Sequence, residues 1–376
     1  MKKILIVLIA VSVFACKNNK KEETSAAEQE FGYQEKLIDT TAYYSEDVTF
    51  ANEKENFTLA GTLTLPRKEG KFPAVVLISG SGLQNRNEEI MGHKPFLIIA
   101  DYLTRQGIAV LRYDDRNFGA SQGDASQATT ENFADDAEAA VKYLQSRNEI
   151  EKTQIGLIGH SEGGIIAPMI AAKSDDIAFI VMLAGPGIDG KELLILQNEL
   201  TSKAMGMADS MVEKSVAVNK KIYETIYNID DAREREKQIT ECLTQYLETI
   251  PNAMKGGQTD EAIISTTIKQ VNSGWITYFI RYNPAPALEK VKCPVLAING
   301  SKDIQVPAKV NLDAINDALT KGGNKNFTVK EFDGLNHLFQ ECNTGSPMEY
   351  AVIKQTFSPV VLAEISEWII DILKML

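Results

Sequence analysis

The sequence predicts an α/β fold: a mostly parallel central sheet with helices on both faces and a helical insertion over one edge. Three observations predict it. Short apolar runs alternate with segments of helical periodicity along most of the chain, the pattern that builds parallel sheets through crossover helices. The alternation stops between residues 187 and 286, where only helical spacing persists. Finally, Gly159-His160-Ser161-Glu162-Gly163-Gly164 lies between a strand-like apolar run and a helix-like one. That is the setting in which a tight turn pushes a serine hydroxyl out at the end of a strand.

The elements follow in order. With 376 residues, 44% hydrophobic and 24% charged, the chain has an ordinary globular balance and can bury one large core plus an elaboration. Lys2 and Lys3 precede an apolar stretch over 4–15 that is too short for a comfortable membrane span. It ends Val13-Phe14-Ala15-Cys16, which resembles the lipobox of bacterial lipoproteins. That resemblance implies a signal peptide over 1–15, cleavage before Cys16, a lipid on Cys16, and a membrane anchor at the periplasmic face or the cell surface. Lysine, asparagine and glutamate dominate the stretch that follows, so 16–45 is expected to be a flexible tether.

Residues 48–50 and 57–65 read as a hairpin with period-2 alternation, and 74–78 as a strand covered on both faces. Helical spacing over 96–105 is followed by a strand at 108–111 and a helix over 133–144. The run 154–158 feeds the Ser161 turn, 165–172 continues as a buried helix, and 179–184 is another buried strand. After the insertion come a strand at 294–298, a helix at 310–319, a strand at 327–332 and a terminal helix at 359–373. Core segments are therefore expected over 46–186 and 287–376, with a helical cap over 187–286. Met205, Met207, Met211 and Met254 in the cap are read as core filler.

The net charge of −12 argues against a nucleic-acid partner. Cys242, Cys293 and Cys342 form an odd set once Cys16 is assigned to the anchor, so no disulfide framework is implied, and no zinc spacing or metal site is present. A G-x-S-x-G pattern arises by chance roughly 0.1 times in a chain of this length, so its neighbours must carry the argument. A serine needs a base, and the chain has three histidines. His160 sits inside the turn and is expected to point away from the serine's outlet. His93 follows the first parallel strand. His337 follows the last strand and can reach the turn. Asp303, after the strand at 294–298, is placed to orient His337, with Asp333 as the weaker rival. Backbone N–H groups of Glu162 and Ser81 are the expected oxyanion donors. The Gly-rich loop at 79–82 lacks both G-x-G-x-x-G and the P-loop lysine, so phosphate binding is weakly supported.

The order Ser161, Asp303, His337, together with Gly80-Ser81-Gly82-Leu83-Gln84-Asn85-Arg86-Asn87-Glu88 and Arg112-Tyr113-Asp114-Asp115-Arg116-Asn117-Phe118-Gly119-Ala120-Ser121, resembles the α/β-hydrolase superfamily, in its bacterial esterase and serine-aminopeptidase-like branch. Asn117 stands where the second motif usually has glycine. The resemblance spans residue 57 to the end and implies cleavage of small carboxylic esters with no cofactor or metal. Exopeptidase, amidase and thioesterase chemistry use the same acyl-enzyme, and a non-catalytic surface-binding lipoprotein is the alternative of another class. Selection among substrates is expected from the cap and the loop over 84–93, where Arg86 either grips an acidic substrate group or pairs with Asp114 or Glu88.

Overall fold

The computed structural model describes residues 34–375; the signal and lipid site expected at 1–16 lie outside them. β1 (Tyr44–Asn52) and β2 (Phe57–Leu65) form the hairpin. β3 (Phe72–Ile78), α1 (Pro95–Arg105), β4 (Ala109–Tyr113), α2 (Thr130–Ser146), β5 (Ile150–His160), α3 (Gly163–Ala171) and β6 (Phe179–Leu183) then alternate. The insertion contains α4 (Gly190–Ala204), α5 (Asp209–Asn228), α6 (Ala232–Glu248), α7 (Asp260–Val271), α8 (Gly274–Arg281) and α9 (Ala285–Leu288). β7 (Val295–Gly300), α10 (Ala308–Lys321), β8 (Phe327–Phe332) and α11 (Pro359–Leu373) complete the chain.

The eight strands run in the order β1-β2-β4-β3-β5-β6-β7-β8. Only the β1–β2 and β2–β4 pairings are antiparallel; the rest are parallel. The period-2 geometry of a strand divides each apolar run between two cores. In β3, Val75 and Leu77 pack with Phe96, Ile99 and Leu103 of α1 and Val361, Ile365 and Ile369 of α11. Ala74, Val76 and Ile78 join the opposite core with α2, α3 and α10. Each such fully buried valine, leucine or isoleucine stabilises the fold by about 1.5–3 kcal/mol. The sheet centre is therefore a rigid platform for loops at its carboxyl edge.

In the insertion, Val218, Ile222 and Ile226 of α5 pack with Ile239, Leu243 and Leu247 of α6, continuous with the core of the α2/α3 face. Side-chain caps start three of its helices: Asp231 on α6, Thr259 on α7 and Ser273 on α8. The expectation of methionine as core filler holds only in part. Met211 and Met254 pack against the core, but Met205 is 50% exposed, because it lies just past the end of α4. Cys242, Cys293 and Cys342 are free thiols. No helix among the described residues is long and apolar enough to cross a membrane.

Candidate active site

The elbow between β5 and α3 is made possible by absent side chains. A Cβ on Gly159 would lie 1.9 Å from the Gly163 carbonyl oxygen, and one on Gly163 would lie 2.2 Å from that of Ile78. Between them, Ser161 adopts a left-handed φ of 52°, a conformation that costs a non-glycine residue about 1–3 kcal/mol and persists only where surroundings impose it. Its N–H donates to the Leu183 carbonyl at 2.9 Å, tying the turn to β6. The serine faces a cleft that His337 also lines.

The loops after β7 and β8 are joined backbone to backbone. Ser301 and Lys302 donate N–H groups to the carbonyls of Phe332 and Leu335. Within this pair of loops, His337 Nδ1 and Asp303 Oδ2 lie 2.7 Å apart. Asp303 is buried, and its Oδ1 accepts from the N–H groups of Gln305 and Val306 at 2.8 and 2.9 Å. With Nδ1–H donated to the carboxylate, the other ring nitrogen is left as a proton acceptor. Asp333 instead accepts from Ser301 Oγ on the exposed side of the loop. His93 is buried between Thr356 Oγ1 and the Tyr350 carbonyl, outside the cleft.

His160 departs from the expectation that its ring points away. It lines the cleft wall, with its ring centroid 4.8 Å from that of His337. The reason lies in its partners: Nδ1 is 2.8 Å from Glu88 Oε1 and Nε2 is 3.0 Å from the His337 carbonyl. Burial works against its protonation, but the Glu88 carboxylate prevails and raises its pKa above the ordinary 6.5.

The expected oxyanion donors converge on the same cleft. Ser81 and Glu162 line it, and among the described residues no backbone carbonyl accepts from the N–H of either. Their loop is fixed from behind. Asp115 accepts from Ser79 Oγ and the Gln84 N–H, and burial pushes its carboxyl well above the usual range. Glu88 Oε1 accepts from the Gly80 N–H at 2.7 Å.

The Glu162 side chain carries a contact the sequence did not suggest. Its buried carboxylate accepts from Thr130 Oγ1 at 2.6 Å and from Trp275 Nε1 of α8 at 2.8 and 2.9 Å. Burial raises its pKa against the opposing effect of those donors. Glu162 therefore joins the nucleophile's turn to the insertion. Only the adjacency of Glu162 to Ser161 could have drawn attention to it; its partners are remote in sequence.

Arg86 does not reach toward substrate. It donates from Nε and Nη2 to the Asp114 carboxylate and from Nη1 to Asp47 and the Gly61 carbonyl. Arg116 is likewise buried on Asp136 and Glu55. Asn117, in the usual glycine position, has a φ of 61°; asparagine tolerates that region better than other side chains, so the turn keeps its form.

The remaining cleft wall is mainly apolar: Ile90, Pro186, Leu193 and Leu194 of α4, Trp275 and Phe279 of α8, Val306 and Leu338. No group of acidic, histidine and cysteine side chains among the described residues could hold a metal ion. The arrangement can deliver a serine oxygen to a carbonyl carbon, take up its proton, and meet the resulting oxyanion with two N–H groups.

Comparison with known proteins identifies the family and the fold. Residues 94–342 match the family described as serine aminopeptidase, S33. Esterase EstD of Thermotoga maritima is 28% identical over 336 residues, covering 89% of this chain and 69% of that protein. The solved structure of the Pyrococcus furiosus esterase Pf2001 superposes with a TM-score of 0.52 at 16% identity, over 88% of this chain and 91% of that one. Est1E from Butyrivibrio proteoclasticus, solved with bound ferulic acid, gives a TM-score of 0.50 at 17% identity, over 87% and 99%. At such identities the structural likeness is one of fold. A match over two thirds of its length, on an eight-stranded sheet with this topology, makes the chain a member of the serine aminopeptidase, S33, family of α/β hydrolases.

Proposed function

We propose that this protein is a serine esterase acting on small carboxylic esters with an apolar portion, through an acyl-enzyme on Ser161. In this reading the Ser161 oxygen attacks the ester carbonyl carbon while its proton passes to the free ring nitrogen of His337. The tetrahedral oxyanion accepts from the N–H groups of Ser81 and Glu162. Collapse breaks the bond to the alcohol, which leaves with the proton held by His337. Water then attacks the acyl group, gives its proton to His337, and the acid departs as Ser161 is regenerated.

The observation that carries the reading is the shared cleft: Ser161 in its strained turn faces the space lined by His337, whose far nitrogen meets buried Asp303. Peptidase chemistry fits less well. An aminopeptidase must neutralise a substrate ammonium, and the carboxylates lining this cleft are Glu88 and Glu162. Both are buried and already engaged, by Gly80 and His160 and by Thr130 and Trp275. The apolar wall instead suits an acyl or alkyl group.

A fluorophosphonate probe tests the chemistry. Labelling of wild type but not of Ser161→Ala is expected, and an unlabelled wild-type protein would exclude the serine mechanism. Hydrolysis of short-chain p-nitrophenyl esters should exceed that of aminoacyl nitroanilides; the reverse preference would assign the site to peptides. The proposal also includes export and a lipid on Cys16, supported by the sequence over 2–16.

A further inference from the structure

Glu88 and His160 present an arrangement the ester mechanism does not use. His160 Nδ1 faces a carboxylate oxygen and Nε2 faces a backbone carbonyl. Neither partner has a hydrogen to offer: a carbonyl only accepts, and so does an ionised carboxylate. Glu88 Oε1 is further committed as acceptor to the Gly80 N–H. A neutral imidazole has one N–H and so can satisfy one of these contacts, leaving a lone pair against an oxygen at the other. Both contacts exist together only when the pair holds one proton more than a carboxylate and a neutral imidazole.

The surroundings keep that proton in place. Glu88 is 4% exposed and His160 6%. Phe96, Ile99, Leu183 and Phe357 surround them, so α1 and the segment before α11 contribute no charge there. The ionisable groups facing His160 are Glu88 beside Nδ1, the His337 ring, and Asp303 beyond it. The protonated pair has no net charge, so it does not oppose formation of an imidazolium on His337.

We propose that Glu88 and His160 act as one protonated positioning unit, which holds the oxyanion loop through Gly80 and the base loop through the His337 carbonyl against the end of β5. Glu88 and His160 are positioning residues, and the proposal rests on the esterase reading for its effect on catalysis. When the pair loses its proton, the remaining imidazole N–H turns to the Glu88 carboxylate, and the His337 carbonyl then meets a lone pair. The folded-state pKa is raised, so the tie is complete below the ordinary 6.5 and is lost as pH rises through the raised value.

Two measurements on the full chain test this. Nitrogen-15 imidazole spectra of wild type, assigned among three histidines with His93→Gln and His337→Gln, should show His160 still carrying protons on both ring nitrogens above the ordinary 6.5, where a free imidazole is mostly neutral. An unprotonated Nε2 there would overturn the proposal. The second is the pH dependence of ester turnover in Glu88→Gln. Its amide oxygen still accepts from Gly80, but the counter-charge is gone. The alkaline fall in kcat should move down by about one to three pH units, with KM changed less than about threefold and near wild-type kcat at the acid end. A uniform loss at every pH would reveal mere structural damage and overturn the positioning role. Fluorophosphonate labelling of wild type keeps the questions apart: its failure removes the esterase reading, while the spectra still decide the state of the pair.

Discussion

At Asp303 the two carboxylate oxygens have separate tasks. Oδ1 is fixed by the Gln305 and Val306 N–H groups, and only Oδ2 meets His337. Asp303→Asn should therefore fold with its amide oxygen toward the loop and its NH₂ toward His337. That NH₂ forces the opposite tautomer and puts a proton where a base is required. A loss in kcat of about 10⁴-fold is expected with little change in melting temperature, and retained activity would remove Asp303 from the mechanism. Much at this scale was legible. Sequence order alone put Asp303 and His337 at the same edge, and the elbow glycines announced Ser161. The partners of Glu88, His160 and the Glu162 side chain were not legible, because each bridges loops distant in sequence and no local pattern encodes such a meeting. The direction of the His160 ring was misjudged for the same reason.

The elements show where tolerance ends. α3 starts so close to β3 that a methyl group at Gly163 would strike the Ile78 carbonyl, and β3 lies in the middle of the sheet. Gly163→Ala should cost at least about 1–3 kcal/mol and distort the turn that exposes Ser161. Chemical denaturation and fluorophosphonate labelling would read both effects; a fully stable, labelled variant would contradict this packing. α8 is held differently. Trp275 stacks on Phe279 and donates to Glu162, so Trp275→Phe keeps an aromatic ring but removes the donor. One hydrogen bond to a charged group contributes about 1.5–3 kcal/mol. Faster amide exchange in α8, with unchanged exchange in the sheet, is the expected result, and identical exchange would show that this bond does not seat the insertion. Strand and helix positions were readable because period 2 and period 3.6 are local properties. The docking of α8 on Glu162 was not, since it depends on an indole and a carboxylate far apart in sequence.

For the whole molecule, the parallel strands bring the proposed nucleophile, acid and base to one edge, and residues 34–43 and α11 lie away from that cleft. The sequence announced this architecture through its alternation, and the family match agrees with it. The proposed lipid anchor is tested on the complete chain: Cys16→Ala should move the protein from the membrane fraction to the soluble one, and persistent membrane association would count against a lipid on that residue. The topology has a temporal consequence as well. Ser161 leaves the ribosome with the first half of the sheet, whereas Asp303 and His337 belong to loops that exist only once β7 and β8 have been made and docked. A nascent or incompletely threaded chain thus possesses its serine without the groups proposed to activate it. If the chain is exported unfolded, the cell that makes it never holds the working enzyme among its own esters; competence arises at the destination, when the last strand closes the sheet.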